Sequence, residues 1–370
     1  MPCSAPSSGF WSRPAESVTD LTGVQRLGCY VLPGGIRDPR KGIDEAKQAE
    51  RIGFGTVWIG ERYDTKDLPS LAGAISQVTS SVRIGAGITH PGLRHPMVLA
   101  SMGQTLQALS GERFVLGLGR SASWRWKAYG QASPTIASLG DTADILRRLW
   151  AGETVSYNGP AGNYPELRLP QRPNAAPPPL VLAAVGPKGL ELAGRAFDGV
   201  ILHPFLTPDA VGRSVATVRQ AATQAGRDPE TLRCYATVVV APEMNAHDEG
   251  LAVGSRAAGY FQVAGLGDAL AMANGWDREA LLRYRNHPML VALGGKSADK
   301  NLSRAELVEL SSTMPPTWLP SASATGSLDA CVTRLNEYLR AGADEIVLHG
   351  ATAASLGNLA ERFASGGSWT

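Results

Sequence analysis

The densest polar chemistry of the chain falls in residues 81–124, SVRIGAGITHPGLRHPMVLASMGQTLQALSGERFVLGLGRSASW. Thr89, His90, Arg94 and His95 follow one glycine-ended apolar run, VRIGAGI; Arg120, Ser121 and Ser123 follow another, RFVLGLG. Two histidines and an arginine in one loop offer proton transfer, hydrogen bonding or pairing with an anion. A metal site needs a further Asp, Glu or His ligand, and no nearby helix spacing supplies one. Arg94 suits an acidic partner, while His90 or His95 can instead bond the loop backbone. Glu61, in GTVWIGERY, ends a further apolar run. There it is placed for acid–base work, or for an ion pair with Arg62 or Arg120.

Two glycine motifs invite a phosphate. GLGRSA, residues 117–122, matches G-x-G-x-x-A, and Asp141 follows about twenty residues later, as a dinucleotide fold would ask. The context differs: Asp141 lies at the front of an amphipathic helix rather than at a strand end, and SWRWKAY is expected to intervene before any helix begins. Those glycines are expected instead to let a ligand approach a strand closely. AAVGPKGLELAG, residues 183–194, is the better anion site. Pro187 is placed as the first helical residue, and the free amides of that helix start, beside Lys188, would hold a phosphate. The same residues also make an ordinary strand-to-helix turn. No Ser/His/Asp or Cys/His order stands out and G-x-S-x-G is absent, so hydrolysis by a nucleophilic side chain has little support.

The elements that must position these groups repeat. A short apolar run ending near glycine, a polar loop and an amphipathic helix form one βα unit, and tandem units imply parallel strands joined by crossover helices. Such units begin at LGCYVLPGG, GTVWIGERY, VRIGAGI, RFVLGLG, PLVLAAVG, DGVILHPF, LRCYATVVVAPE and ADEIVLHG. In the first helix Ile43, Ala46, Ala49 and Ile52 share a face that Gly53 ends. Residues 153–179, rich in Pro, Gly and Asn, form an excursion, and residues 244–323 read as a mostly helical insertion after the seventh strand. The favoured architecture is an α/β fold of the (β/α)8 TIM-barrel type, one domain over residues 25–370 behind a flexible leader of residues 1–24. In such a barrel the loops after the strands converge on one carboxyl-terminal mouth.

Bulk properties exclude several roles. The 370 residues carry 35 basic against 33 acidic side chains, a net charge of +2 that makes no electrostatic case for nucleic acid or an anionic membrane. No run reaches the roughly 18 apolar residues a membrane span needs. The first twenty residues lack an apolar signal core, which suggests a cytoplasmic protein. Cys3, Cys29, Cys234 and Cys331 are scattered without a CxxC pair, and Cys29 and Cys234 read as buried small hydrophobes.

GFGTVWIGER, VRIGAGITHPGLRHPMVLAS, GERFVLGLGRS, VGPKGLELAGRAFDGVI and AGADEIVLHG, in this order, resemble the luciferase-like monooxygenase superfamily. The resemblance is to its branch using the deazaflavin coenzyme F420, as in methylene-tetrahydromethanopterin reductase. It implies a bacterial-luciferase-like barrel in which F420 (FMN in the monooxygenase branch) lies at the strand ends beside a small-molecule substrate, and an oxidoreductase that transfers a hydride. It also implies a homodimer. In several members a bulge with a non-prolyl cis peptide on the third strand backs the ring; here that maps to Gly87 and Ile88. Thr89 would then contact the ring edge, with Gly119, Arg120 and Ser121 in the fourth-strand loop and Val185, Gly186, Pro187 and Lys188 at the phosphate. Arg94 joins this cofactor set, and Glu61 and His90 are the candidate catalytic residues, with no metal. Members that oxidise sugar phosphates carry Asp-His after strand two and Glu after strand four. This chain has Glu61-Arg62 and Ala122 there, so that chemistry does not carry over.

Overall fold

The computed structural model describes residues 21–33, 38–121 and 123–366. Most of the expected leader lies outside the described residues; from Gly23 to Arg26 a 3-10 turn leads into the first strand. The strands are β1 (Leu27–Tyr30), β2 (Thr56–Ile59), β3 (Arg83–Ala86), β4 (Phe114–Leu118), β5 (Val155–Gly159), β6 (Gly162–Leu167), β7 (Leu180–Ala184), β8 (Gly199–Leu202), β9 (Arg233–Pro242), β10 (Ser323–Gly326) and β11 (Glu345–His349). Eight of them, β1, β2, β3, β4, β7, β8, β9 and β11, pair in parallel and close into a barrel, since β11 returns to β1. Glycine in the left-handed region ends several of the crossover helices, as Gly53 does for Arg40–Ile52 (φ 96°) and Gly111 for Pro96–Ser110 (φ 65°).

Two features depart from the sequence reading. The excursion over 153–179 contains a two-stranded antiparallel hairpin, β5 with β6. The insertion does not simply rejoin a helix: it ends in β10, which pairs in parallel with the last residues of β9. The ten-residue β9 can serve both because Arg233–Val239 pairs with β8 or β11 while Val239–Pro242 pairs with β10.

Alternation sorts the strand residues. One set faces the helices and forms the main core, with Leu27, Cys29, Val57, Ile59, Ile84 and Leu116 all buried. The other faces the axis: Trp58, Val115, Val181, Ile201, Tyr235 and Val347 fill the barrel interior, with Tyr30 and Ile88 packed above them. At the amino-terminal end Glu345, fully buried, accepts from Thr56 Oγ1 (3.0 Å), Trp58 Nε1 (3.4 Å) and Arg83 Nη2 (2.6 Å). Three donors on one carboxylate satisfy the charge where water cannot reach it. The barrel is therefore plugged below and open to chemistry only above.

Candidate active site

At the top of β3 the Gly87–Ile88 peptide is cis. Pairing resumes beyond it, Thr89 N donating to Gly117 O (2.9 Å) and Gly119 N to Thr89 O (3.2 Å). The bulge lays Ile88 over β4, and this corrects the expectation for GLGRSA: a Cβ on Gly119 would overlap Ile88 Cδ1, and one on Gly117 would overlap the Ala86 carbonyl. The glycines admit Ile88 and the β3 backbone rather than a ligand. A short helix, Ser123–Ala128, also follows that loop directly, where none was expected. The result is an apolar platform, Ile88 on Gly117 and Gly119, at the mouth.

Glu61 sits just past β2, as expected, but its partner is neither Arg62 nor Arg120. Its Oε2 accepts from Arg94 Nε (3.1 Å), Arg94 Nη2 (2.9 Å) and Thr89 Oγ1 (2.9 Å), and Oε1 accepts from the Leu68 amide (3.2 Å). Thr89 is buried and its hydroxyl is committed to Glu61, so the expected ring-edge contact through that group is replaced by a loop contact. Arg94 Nη2 also reaches Asp67 Oδ1 (2.9 Å), the residue that caps the next helix. These groups brace the platform from below.

The two histidines diverge. His95 accepts from the Met97 amide (3.2 Å) and caps the helix Pro96–Ser110, the backbone role weighed for it. His90 is buried between Tyr63 and Trp126, with Nδ1 3.4 Å from the Tyr63 hydroxyl. Burial, aided by the charges of Arg125 and Arg94, pulls its pKa down to about 3. His90 is therefore a neutral imidazole at neutral pH. Arg120 turns outward: its Nε donates to Pro134 O (2.8 Å), and Trp126 Nε1 donates to the Arg120 carbonyl. Ser121 takes a left-handed φ of 58° at the turn between them.

β7 ends beside β4, and Val185-Gly186 lead from it into the helix Pro187–Ala196. Pro187 has no N–H, and the amides of Gly189 and Leu190 return to Gly186 O, which leaves the Lys188 amide as the first-turn donor. The Lys188 side chain is exposed and bonded to no acceptor among the described residues. Among the described residues no group of three or more His, Cys, Asp or Glu is placed to hold a metal ion.

The opposite side of the mouth was not singled out in the sequence. His203, one residue past β8, and His349, the last residue of β11, stand where the inward alternation from Ile201 and Val347 continues. The ring of His349 lies 4.9 Å from that of Tyr30, and His203 lies 4.7 Å from Tyr260 of the insertion. His349 Nδ1 is buried with no hydrogen-bond partner among the described residues. A Cβ on Gly87 would come within 3.2 Å of the Tyr30 hydroxyl, so this polar wall adjoins the platform. A signal existed: VILH and IVLH each close an apolar run with Leu-His.

A cleft of about 620 Å³, lined by Thr207, Arg213, Trp276, Arg334 and Arg340 among others, lies on the outer wall and not at this mouth.

The fold is a closed (β/α)8 barrel, with the polar groups described above gathered at its carboxyl-terminal mouth. The chain belongs to the luciferase-like monooxygenase family, whose model matches residues 24–345. It is 28% identical over 303 residues to a 5,10-methylenetetrahydromethanopterin reductase of Methanolobus tindarius, covering 82% of this chain and 87% of that one. Over 203 residues it is 34% identical to an F420-dependent hydroxymycolic acid dehydrogenase of Mycobacterium tuberculosis, covering 51% and 56%. The solved coenzyme F420-dependent tetrahydromethanopterin reductase of Methanopyrus kandleri superposes with a TM-score of 0.73 at 21% identity, over 90% of this chain and 97% of that one. No described helix is long and apolar enough to cross a membrane.

Proposed function

We propose that the protein binds coenzyme F420 at the barrel mouth and exchanges a hydride between it and a small organic substrate. The observation that carries this reading is the neighbourhood of two features: the Ile88 platform on β3 and β4, and the Gly186–Pro187 helix start on the adjoining β7. They stand two strand spacings apart, roughly 10 Å. That arrangement suits a ligand with a planar apolar face at one end and an anion at the other.

The residues present fit the coenzyme. Ile88 would back the ring; Val185, Gly186 and the Lys188 amide and ammonium would hold the phosphodiester, as helix starts hold anions. When bound, F420 supplies a two-electron hydride donor or acceptor. The chain's part is placement and exclusion of water. Glu61, Arg94 and Thr89 hold the two loops under the platform, and a carboxylate with four donors is a positioning group rather than a proton shuttle. His90, neutral at working pH, closes the side of the mouth with Tyr63 and Trp126. The insertion covers the top: Lys300 Nζ meets Asp64 Oδ2 at 2.8 Å and lies over the Trp124 ring. Homodimerisation through the outer helices belongs to the same reading, supported by the exposed Val98 and Leu109 on one face of Pro96–Ser110, beside Val78.

Titration of F420 with the full chain, followed by the coenzyme's fluorescence, tests the reading. A saturable change supports it, and an unchanged spectrum at high protein concentration removes it.

A further inference from the structure

The reading above leaves the polar wall of the mouth without a task, and the groups there share one property. Arg256, on the insertion helix Ser255–Phe261, is half-buried, and its guanidinium carbon lies 3.6 Å from where a Cβ of Gly350, the residue after β11, would stand. Among the described residues its bonded acceptor is the Ala252 carbonyl, one turn back. It forms no salt bridge with any described carboxylate. Beside it His349 keeps Nδ1 buried with no hydrogen-bond partner among the described residues.

A guanidinium taken out of water costs free energy unless an anion or several acceptors meet it, and a buried imidazole nitrogen without a partner adds a smaller cost. Two partly buried arginines elsewhere meet a carboxylate, Arg94 that of Glu61 and Arg83 that of Glu345. Asp299, which acts on Tyr260, takes a hydrogen bond from Ser297. Burial, with the positive charges of Arg256 and Arg62 added, holds His349 well below the usual imidazole range.

We propose that Arg256 and His349 form a substrate-anion subsite, which takes a carboxylate or phosphate group of the substrate and turns its reacting carbon toward the Ile88 platform. The proposal rests on the hydride-transfer reading for what the subsite is for, but the binding itself needs no coenzyme. Arg256 would present its planar fork to two oxygens, as guanidinium groups do with carboxylates and phosphates. His349 would donate from Nδ1 to one of them in the tautomer that carries its proton there. Tyr30, whose ring lies tilted at 57° to that of His349 with centroids 4.9 Å apart, fixes the ring orientation. The subsite also gives the insertion a role in specificity, since it supplies Arg256 while the barrel supplies His349.

The test uses the full chain, coenzyme-free, with histidine-selective isotope labelling and the His349 resonance assigned through His349→Asn. Sodium acetate and sodium phosphate are titrated separately at constant ionic strength. The proposal predicts a saturable shift of the His349 ring resonance by at least one of the two anions, and the stronger binder names the group. Arg256→Met should weaken that binding at least tenfold, and Arg256→Lys should restore part of it. Absence of any saturable shift at His349, or equal binding by a folded Arg256→Met, overturns the subsite. Loss of F420 binding with the anion response intact would instead overturn the coenzyme reading alone.

Discussion

Arg94 grips Glu61 through two nitrogens, Nε at 3.1 Å and Nη2 at 2.9 Å, both on Oε2, and so ties the loop after β3 to the loop after β2. The Glu61 side chain is wholly buried and that of Arg94 is 14% exposed. Removing one partner of such a pair strands the other charge, at a cost of about 3–5 kcal/mol. Arg94→Met should therefore lower the unfolding free energy by about that amount, and Glu61→Gln by somewhat less because the amide keeps one acceptor. Chemical denaturation of the two single mutants and the double mutant checks this. The effects should be strongly non-additive, while turnover per folded molecule stays within a few-fold; a loss of 10²–10⁴ in turnover by a stable Glu61→Gln would return Glu61 to a proton-transfer role.

That pair also marks where sequence reading stopped. The alternation of apolar runs and helices was enough for the barrel and for the mouth, because period-2 and period-3.6 patterns depend on near neighbours. Glu61 was legible as a strand-end acid, yet its partner was not, because the β3 bulge at Gly87-Ile88 decides which loop residue comes beneath it. Gly117 and Gly119 were legible as close-approach glycines, but what approaches is a side chain from another strand. His203 and His349 went unread because each is one polar residue closing an apolar run, and only the closed barrel sets them on one wall. Strand β10, at SATG, is short and carries no alternation to read.

The low pKa of His90, about 3 against 6.5 for an exposed histidine, has a consequence for stability. The unfolded chain binds a proton at this site between those values and the folded chain does not, so stability rises with pH across that window. The contribution is complete above pH 6.5 and is lost as pH falls toward 3, on the order of 2–3 kcal/mol by pH 4. His90→Gln should flatten the fall in Tm between pH 6.5 and 4 relative to the parent. Parallel curves for parent and mutant would mean that His90 titrates normally.

Ile88 rests where Gly119 has no side chain, so Gly119→Ala should push Ile88 toward the mouth. The clash is with the flexible end of Ile88, and the fold should survive with a modest loss of Tm. Coenzyme affinity should fall at least tenfold, about 1.4 kcal/mol, if Ile88 is the ring platform. Gly117→Ala meets the Ala86 backbone instead and should mainly cost stability. Equal coenzyme affinity for parent and Gly119→Ala would remove Ile88 from the binding surface.

At the other end of the coenzyme, Lys188→Ala removes one charge-assisted contact from the helix start. It should weaken F420 binding by about 1–3 kcal/mol with Tm unchanged, because the side chain is exposed and bonded to nothing else described. An unchanged dissociation constant would leave Gly186-Pro187 as a turn.

The central claim is that this mouth is built for a deazaflavin, and the most direct measurement is the pair of dissociation constants for F420 and FMN. Both are obtained by fluorescence titration of the full chain in one buffer. The account predicts saturable F420 binding that is at least tenfold tighter than FMN binding, with the advantage reduced in Lys188→Ala and Gly119→Ala. FMN binding as tight as F420 or tighter would contradict it and place the protein among the flavin-dependent monooxygenases of its family.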